Sequence, residues 1–507
     1  MDLIQNLIMG FAISFSPWNI FYCLLGVSMG TIVGILPGIG TTATIAMLLS
    51  LTYKMNAISA IIMLSGIYYG AQYGGTITSI LVSIPGEATS VVTIFDGHQM
   101  ARKGRAGVAL GIAAFGSFIA GTFGTIMLSL LSPPLSILAL AFGPPEYALL
   151  MLTGLSLVIF LSGTSFLKGI MSGILGIALG TVGFDPITAI DRFTFGSQSL
   201  MEGIDIAVLA MGIYGMGEIF YLADMEKGQP NPELLKASTK LRNLLPNKKD
   251  WKDSGWAITR GSIIGFLCGV MPGGGAVLAS FAAYAIERRI SKHPEKFGTG
   301  AIQGVAAPES ANNSAVSGAF IPLLTLGIPS NAVMALLLGA FIIHGITPGP
   351  LIIKENPQIF WGVITSMYIG NVLLLILNVP LIGIFVQILR TPYTLLSPMI
   401  VLFCVVGVFS INNNPVDILI MVIFGVVGYL MRKFEFDAAP LLLAFVLGPM
   451  FERAVRLSLI MSQGSPFIFI QRPITAILMY ICIFIYLLPL LHYFFKKFFH
   501  PRFKKFI

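Results

Sequence analysis

Long apolar stretches follow one another along nearly the whole chain, separated by short polar connections. Runs at 107–131, 203–222, 358–388 and 473–495 carry few or no charged residues. About 20 such residues suffice to carry a helix across a hydrocarbon core of about 30 Å. The pattern predicts an all-α polytopic membrane protein with about 10–12 membrane segments and a further C-terminal helix. Residues 3–14 read as a short helix, interfacial or partly inserted, and the N-terminus lacks the basic n-region of a cleaved signal peptide. The longest polar stretch, 224–255, is too short for a core of its own. It divides the chain into a first membrane repeat, 1–223, a linker, 224–255, and a second repeat, 256–455. A C-terminal helix and basic tail, 456–507, follow.

The two repeats share an unusual phrase. Gly26-x-x-x-Gly30-x-x-x-Gly34-Ile-Leu-Pro37-Gly38-Ile-Gly40 returns as Gly261-x-x-x-Gly265-x-x-x-Gly269-Val-Met-Pro272-Gly273-Gly-Gly275. Each is a close-packing helix that meets a Pro-Gly break while still among apolar residues. In lipid, backbone without helical hydrogen bonds is tolerated only where protein or a water-filled cavity satisfies it. A duplicated broken helix is therefore a pointer to a transporter's binding site. The order of later motifs agrees with a duplication: 66–76 lies over 304–314, Ile84-Pro-Gly-Glu87-Ala over Ile328-Pro-Ser-Asn331-Ala, and Gly183-Phe-Asp185 over Glu435-Phe-Asp437. Each Pro-Gly segment reads either as a re-entrant helical hairpin or as one long, broken span.

Charge orients the copies. The loop after the first break holds only Lys54, and its counterpart holds Arg288, Arg289, Lys292 and Lys296. The next connection reverses this, with Arg102, Lys103 and Arg105 against Lys354. Basic loops favour the cytoplasm, so equivalent loops fall on opposite sides and the repeats read as inverted in topology. The linker 224–255 and the C-terminus then come out cytoplasmic. Composition agrees with the membrane assignment: 56% of residues are hydrophobic and only 10% charged, against about 25% charged in soluble domains. The net charge of +8 sits in loops and in the tail from Lys496 to Lys505, which fits topology and not nucleic-acid binding. The four cysteines are scattered singly in apolar spans; they form no disulfide framework or transition-metal spacing.

Two segments carry candidate chemistry. From Met55 to Gly86 no residue is charged, yet Gly70-Ala-Gln72-Tyr73-Gly74-Gly75-Thr76 is rich in Gly and polar groups. Glycine disfavours helix by about 1 kcal/mol, so an unwound segment lining a polar cavity is expected; helix packing through small residues is the alternative. In the second repeat, Glu309 is the only acidic residue between Lys296 and Lys354, within Pro308-Glu-Ser310-Ala-Asn312-Asn313-Ser314. A carboxylate at mid-membrane costs about 2.5–3.5 kcal/mol even on insertion scales, so it is paired, protonated or functional, unless it caps a helix start. Glu309, Ser310, Asn312, Asn313 and Ser314 suit a coupling sodium ion or proton. The breaks free backbone N–H groups at helix N-termini, which bind anions without a cationic side chain; flexible packing kinks are the bland alternative. The substrate-site expectation is Gly38, Gly40, Thr41, Thr42, Tyr73, Gly74, Gly75, Thr76, Pro272, Gly273, Gly274, Gly275, Asn312 and Asn313. Asp96 and His98 read as interfacial, and Glu146 as a helix cap. No phosphate-binding Gly-Lys loop occurs.

The stretches 34–40, 66–76, 84–88, 96–106 and Gly143-Pro-Pro-Glu-Tyr147, with Pro308-Glu-Ser-Ala-Asn-Asn and Thr347-Pro-Gly-Pro350, resemble the tripartite tricarboxylate transporter family. The likeness is to its large membrane subunit and covers most of the chain in order. It implies a non-enzymatic, multi-pass permease of the cell (inner) membrane that imports tricarboxylates or related carboxylates. Sodium or proton gradients would drive it, with no other cofactor. A small membrane subunit and an extracytoplasmic binding protein would be its partners. The competing classes are a stand-alone channel, an intramembrane enzyme built on Glu309 with Ser310 or Ser314, and a scaffold for other subunits.

Overall fold

The fold is that of a computed structural model. It describes residues 3–36, 40–161, 165–185, 187, 188, 190–225, 241–388 and 393–499. The site expectation at Gly38 falls outside these residues, as do the middle of the linker, 226–240, and the tail residues 500–507.

Helices account for nearly everything described. In chain order they are α1 (Leu3–Ser14), α2 (Pro17–Ile35), α3 (Thr41–Thr52), α4 (Ala57–Val82), α5 (Val91–Met100), α6 (Ala106–Ala139), α7 (Pro144–Leu161) and α8 (Phe166–Gly180). A two-residue hairpin, β1 (Gly183–Phe184) with β2 (Asp191–Arg192), precedes α9 (Ile206–Asp224). The second half holds α10 (Lys248–Val270), α11 (Gly275–Ile290), α12 (Gln303–Leu326), α13 (Ala332–Ile343), α14 (Pro357–Asn378) and α15 (Ile382–Ile388). It ends with α16 (Tyr393–Asn412), α17 (Pro415–Lys433), α18 (Ala439–Met461) and α19 (Pro473–Phe499). Helix α10 starts inside the polar stretch assigned as linker, because Asn247 and Asp250 form a reciprocal capping box at its first turn.

Among the described residues, six helices are long and apolar enough to cross a membrane, and shorter apolar helices accompany them. The chain is a multi-pass membrane protein of all-α class. The two most deeply buried helices, α4 and α12, are not among the six. Protein encloses them on all sides, so they carry glycine, hydroxyl and amide groups in place of a lipid-facing apolar surface.

The chain gathers into two compact units, residues 1–139 with 205–433, and residues 140–204 with 434–507. The first unit is organised around two helix pairs. Along α2, Gly26, Gly30 and Gly34 lie so close to α4 that an added Cβ would stand 2.2, 2.3 and 2.2 Å from the carbonyl oxygens of Met63, Ile67 and Ala71. Along α10, a Cβ added to Gly261, Gly265 or Gly269 would stand 2.4, 2.1 and 2.1 Å from the carbonyl oxygens of Ala307, Ala311 and Ala315 of α12. The duplication seen in the sequence is thus repeated in the packing: each small-residue stripe lets two backbones touch.

That contact corrects the reading of 70–76 as unwound. Helix α4 runs through it unbroken. Gly70 and Gly74 face α2, where a Cβ would lie 2.6 Å from the oxygen of Val27 and 2.1 Å from that of Thr31. The packing of a whole helix outweighs a propensity loss of about 1 kcal/mol per glycine.

Both helices that carry the glycine stripes are interrupted where the sequence predicts, although Pro37 and Gly38 themselves lie outside the described residues. The first break lies between α2 and α3, with Gly40 at φ +69° as it enters α3. The second turns at Met271–Gly274 between α10 and α11. Here the chain doubles back. Arg260 of α10 donates to both carboxylate oxygens of Glu287 on α11, at 2.9 and 2.7 Å. These residues lie at similar distances from the turn on either side, which only an antiparallel hairpin allows.

In the second unit α18 packs on α8, with Gly176 and Gly180 against the carbonyls of Leu441 and Phe445. Asp185 binds the amide of Ile187 at 2.8 Å and Arg456 at 2.8 Å. Together they hold its carboxyl well below the ordinary range. Glu146 accepts from Gly143 N–H at 2.8 Å as the expected cap, and it also pairs with Arg472 at 2.8 Å.

Candidate functional site

Glu309 is fully buried in the second turn of α12. Because that helix begins at Gln303, the free amides of a helix start are not its partners, and side chains take their place. Thr76 of α4 donates to its Oε2 at 2.5 Å and Asn312 to the same oxygen at 3.2 Å. Thr93 of α5 donates to Oε1. Among the described residues it has no ion-pair partner. The two polar segments, one from each repeat, therefore meet at a single carboxylate.

The surrounding amides and hydroxyls extend the cluster. Asn313 donates to Ser117 of α6 at 2.8 Å, to Asn312 Oδ1 at 2.5 Å and to the carbonyl of Glu309 at 3.1 Å. Ser314 turns away and donates to Ser262 O at 2.7 Å. The Ser310 hydroxyl has no hydrogen-bond partner among the described residues. A cavity of about 10 Å³ opens beside Glu309, lined by Tyr73, Thr76, Ser117 and Asn378 among others. That is room for about one water. The Tyr73 hydroxyl and Asn378 Oδ1 are buried beside it with no hydrogen-bond partner among the described residues, so a water there would find polar partners.

A second carboxylate lies on the neighbouring side of α4. Glu87 receives the backbone N–H of Thr41 at 2.7 Å and the Thr41 hydroxyl on one oxygen. It rests against Gly75, where a Cβ would meet the Glu87 backbone nitrogen at 2.9 Å. The freed helix end at the first break is thus capped by the protein's own carboxyl group. At the second break Gly273 N–H donates to Ser330 O at 2.8 Å, and Asn331 donates to Tyr68 of α4 at 3.1 Å. The corresponding loops, 84–88 and 328–332, thus each contact one break, through different positions. Both reach α4, at points about 10 Å apart along its axis for a rise of about 1.5 Å per residue.

Of the residues marked in the sequence, Thr76, Asn312, Asn313 and Tyr73 surround or face Glu309. Gly40, Thr41 and Gly75 lie at the Glu87 cap, and Pro272, Gly273, Gly274 and Gly275 form the second turn. Gly74 points into α2, and no partner marks Thr42. Sequence reasoning missed Thr93, Ser117, Asn378 and the role of Glu87. Gln72 is satisfied by Thr89 at 2.7 Å. Asp96, read as interfacial, is fully buried. Its Oδ1 takes the amides of Gly298, Gly300 and Ala301, and its Oδ2 takes the Tyr284 hydroxyl. Glycines at 298 and 300, both at positive φ, let the loop wrap it.

Thr93 offers a direct check of the cluster. Thr93→Val keeps the shape but takes a donor from a buried carboxylate, a loss of about 1–3 kcal/mol. The melting temperature of the purified protein should fall, and Thr93→Ser should restore it. An unchanged melting curve for the valine variant would remove Thr93 from the set of donors.

The profile described as "Tripartite tricarboxylate transporter TctA family" matches residues 20–443, which include both breaks and every residue of the Glu309 cluster. Two proteins of Agrobacterium vitis are similar. "Uncharacterized 52.8 kDa protein in TAR-I ttuC' 3'region" is 51% identical over 492 residues, 96% of this chain and 97% of its own length. "Uncharacterized protein in TAR-II ttuC' 3'region" is 54% identical over 228 residues, 44% of this chain and 94% of its own. No solved structure matches.

Proposed function

We propose a transport cycle for this chain, which belongs to the tripartite tricarboxylate transporter family and is a membrane permease of that kind: it imports a tri- or dicarboxylate, coupled to sodium or protons at Glu309. The observation that carries this reading is a buried carboxylate held only by neutral hydroxyl and amide groups drawn from both repeats. With no cation of the protein beside it, its charge is balanced by what arrives from outside the chain. A proton would sit on the carboxyl itself. Sodium would find oxygen ligands in Glu309, Thr76, Thr93 and Asn312, the hard donors such ions take.

The substrate's carboxylates would be received at the broken-helix ends, where backbone N–H groups gather without a cationic side chain. Glu87 holds the first of these ends in the absence of substrate. Substrate binding and release of Glu87 then become one event, and a small membrane subunit and an extracytoplasmic binding protein would serve the outer face.

Loop contacts favour inverted repeats. Lys103 donates to Thr299 O at 2.5 Å and Arg105 pairs with Asp250 at 2.5 Å. The basic loop of the first repeat and that of the second thus share one face, although they are not equivalent in the duplication. An inverted pair has this property, and positive-inside bias assigns that face to the cytoplasm. The deciding measurement is uptake of labelled citrate, malate and succinate by vesicles carrying the permease with its small subunit and binding protein. One imposed gradient, sodium or proton, should drive accumulation above equilibrium; equilibration alone under both gradients would refute coupled import.

A further inference from the structure

On the basic face, away from Glu309, α5 and α11 enclose an open pocket of about 400 Å³, within the range of about 300–1,000 Å³ that small ligands use. Ser83, His98, Gln99, Tyr284, Arg288 and Phe297 line it, and no carboxylate does. Arg288 has no ion-pair partner among the described residues. The acids nearby are committed elsewhere. Glu287 is held bidentate by Arg260, and Asp96 is saturated by three backbone amides and Tyr284. Arg102, Lys103, Lys292 and Lys296 stand in the two flanking connections and Arg289 in the last turn of α11, while Glu295 beside them pairs with His293, so the mouth has a positive field that draws anions in.

The wall of the pocket is linked to the ion cluster. Tyr284 stacks edge-on against Phe95 and Phe297, with ring centroids 5.7 and 5.5 Å away, and its hydroxyl is tied to Asp96. Asp96 lies one turn beyond Thr93 on the same short helix, and Thr93 is bound to Glu309. Helix α5 thus joins the Glu309 cluster to the aromatic wall of the pocket.

From this we infer that the pocket is a second carboxylate site, a release vestibule in which the transported di- or tricarboxylate is held by Arg288, with Gln99 as a further donor. The inference rests on the carboxylate-permease reading above and adds where the substrate pauses before leaving.

The test uses the full-length protein. All four native cysteines are buried, so exposed Ser83→Cys should be the fast-reacting thiol towards a charged maleimide. Whichever of citrate, malate and succinate the wild type transports should slow that labelling, and sulfate at equal ionic strength should not. Adding Arg288→Gln should raise the concentration for half-protection about tenfold or more, and Arg288→Lys should recover part of it, since a single ammonium replaces a bidentate fork. A transported carboxylate that gives no protection, or protection indifferent to Arg288, overturns the vestibule and leaves the permease reading standing. Failure of the wild type to transport any of the three would sink the carboxylate reading and the vestibule with it.

Discussion

Glu309→Gln is expected to abolish accumulation against a gradient while the protein still inserts and folds. Glutamine preserves the length of the side chain and one acceptor, and the hydroxyls of Thr76 and Thr93 can turn to accept from the new amide. What is lost is the only group of the cluster able to take a proton or bring a full negative charge to sodium. Uptake under an imposed gradient should fall to the level seen without one, and the remainder should no longer depend on pH or sodium. The measurement is uptake in vesicles across a pH and sodium series, with a melting curve to confirm folding. Variant kinetics that keep the wild-type ion dependence would take Glu309 out of the mechanism.

The second large effect is expected for Gly265→Leu. Its Cβ would stand 2.1 Å from the carbonyl oxygen of Ala311 and 2.6 Å from its Cα. Both are backbone atoms of a buried helix, so no side-chain adjustment relieves the clash. Overpacking of a core ordinarily costs about 1–3 kcal/mol, and here the whole α10–α12 contact must part. Ala311 directly precedes Asn312, so even a folded remnant would hold the Glu309 cluster out of place. Melting of the detergent-solubilised protein should fall sharply, with loss of uptake. Gly255→Leu, on the same helix with open space beyond its Cα, should be close to neutral. Equal stability of the two variants would show that the stripe does not hold the helices together.

Much of this was legible in the sequence because it rests on period and contrast. A glycine every fourth residue followed by Pro-Gly marks both stripe and break, and a single acid among apolar residues marks Glu309. The parts that were not legible depend on what lies across a contact. Thr93 looks like any hydroxyl in a membrane helix until α12 brings Glu309 against it. Gly70 and Gly74 read as helix-breaking because propensity is measured in water, whereas here a neighbouring backbone takes the space that a side chain would fill. Asp96 read as interfacial because it precedes a basic loop; only the fold shows that loop turning inward to meet it. The proposed inversion of the repeats rests on charge bias and on the shared basic face.

The clasp between Arg260 and Glu287 has a mechanical consequence. It joins the two arms of the second hairpin well back from the turn at 271–274, so the hairpin bends as a strut and not as two separate rods. Glu287 lies about 20 Å from that turn, at about 1.5 Å per residue, next to Arg288. A displacement at the tip would thus be shared by both arms as far back as the clasp.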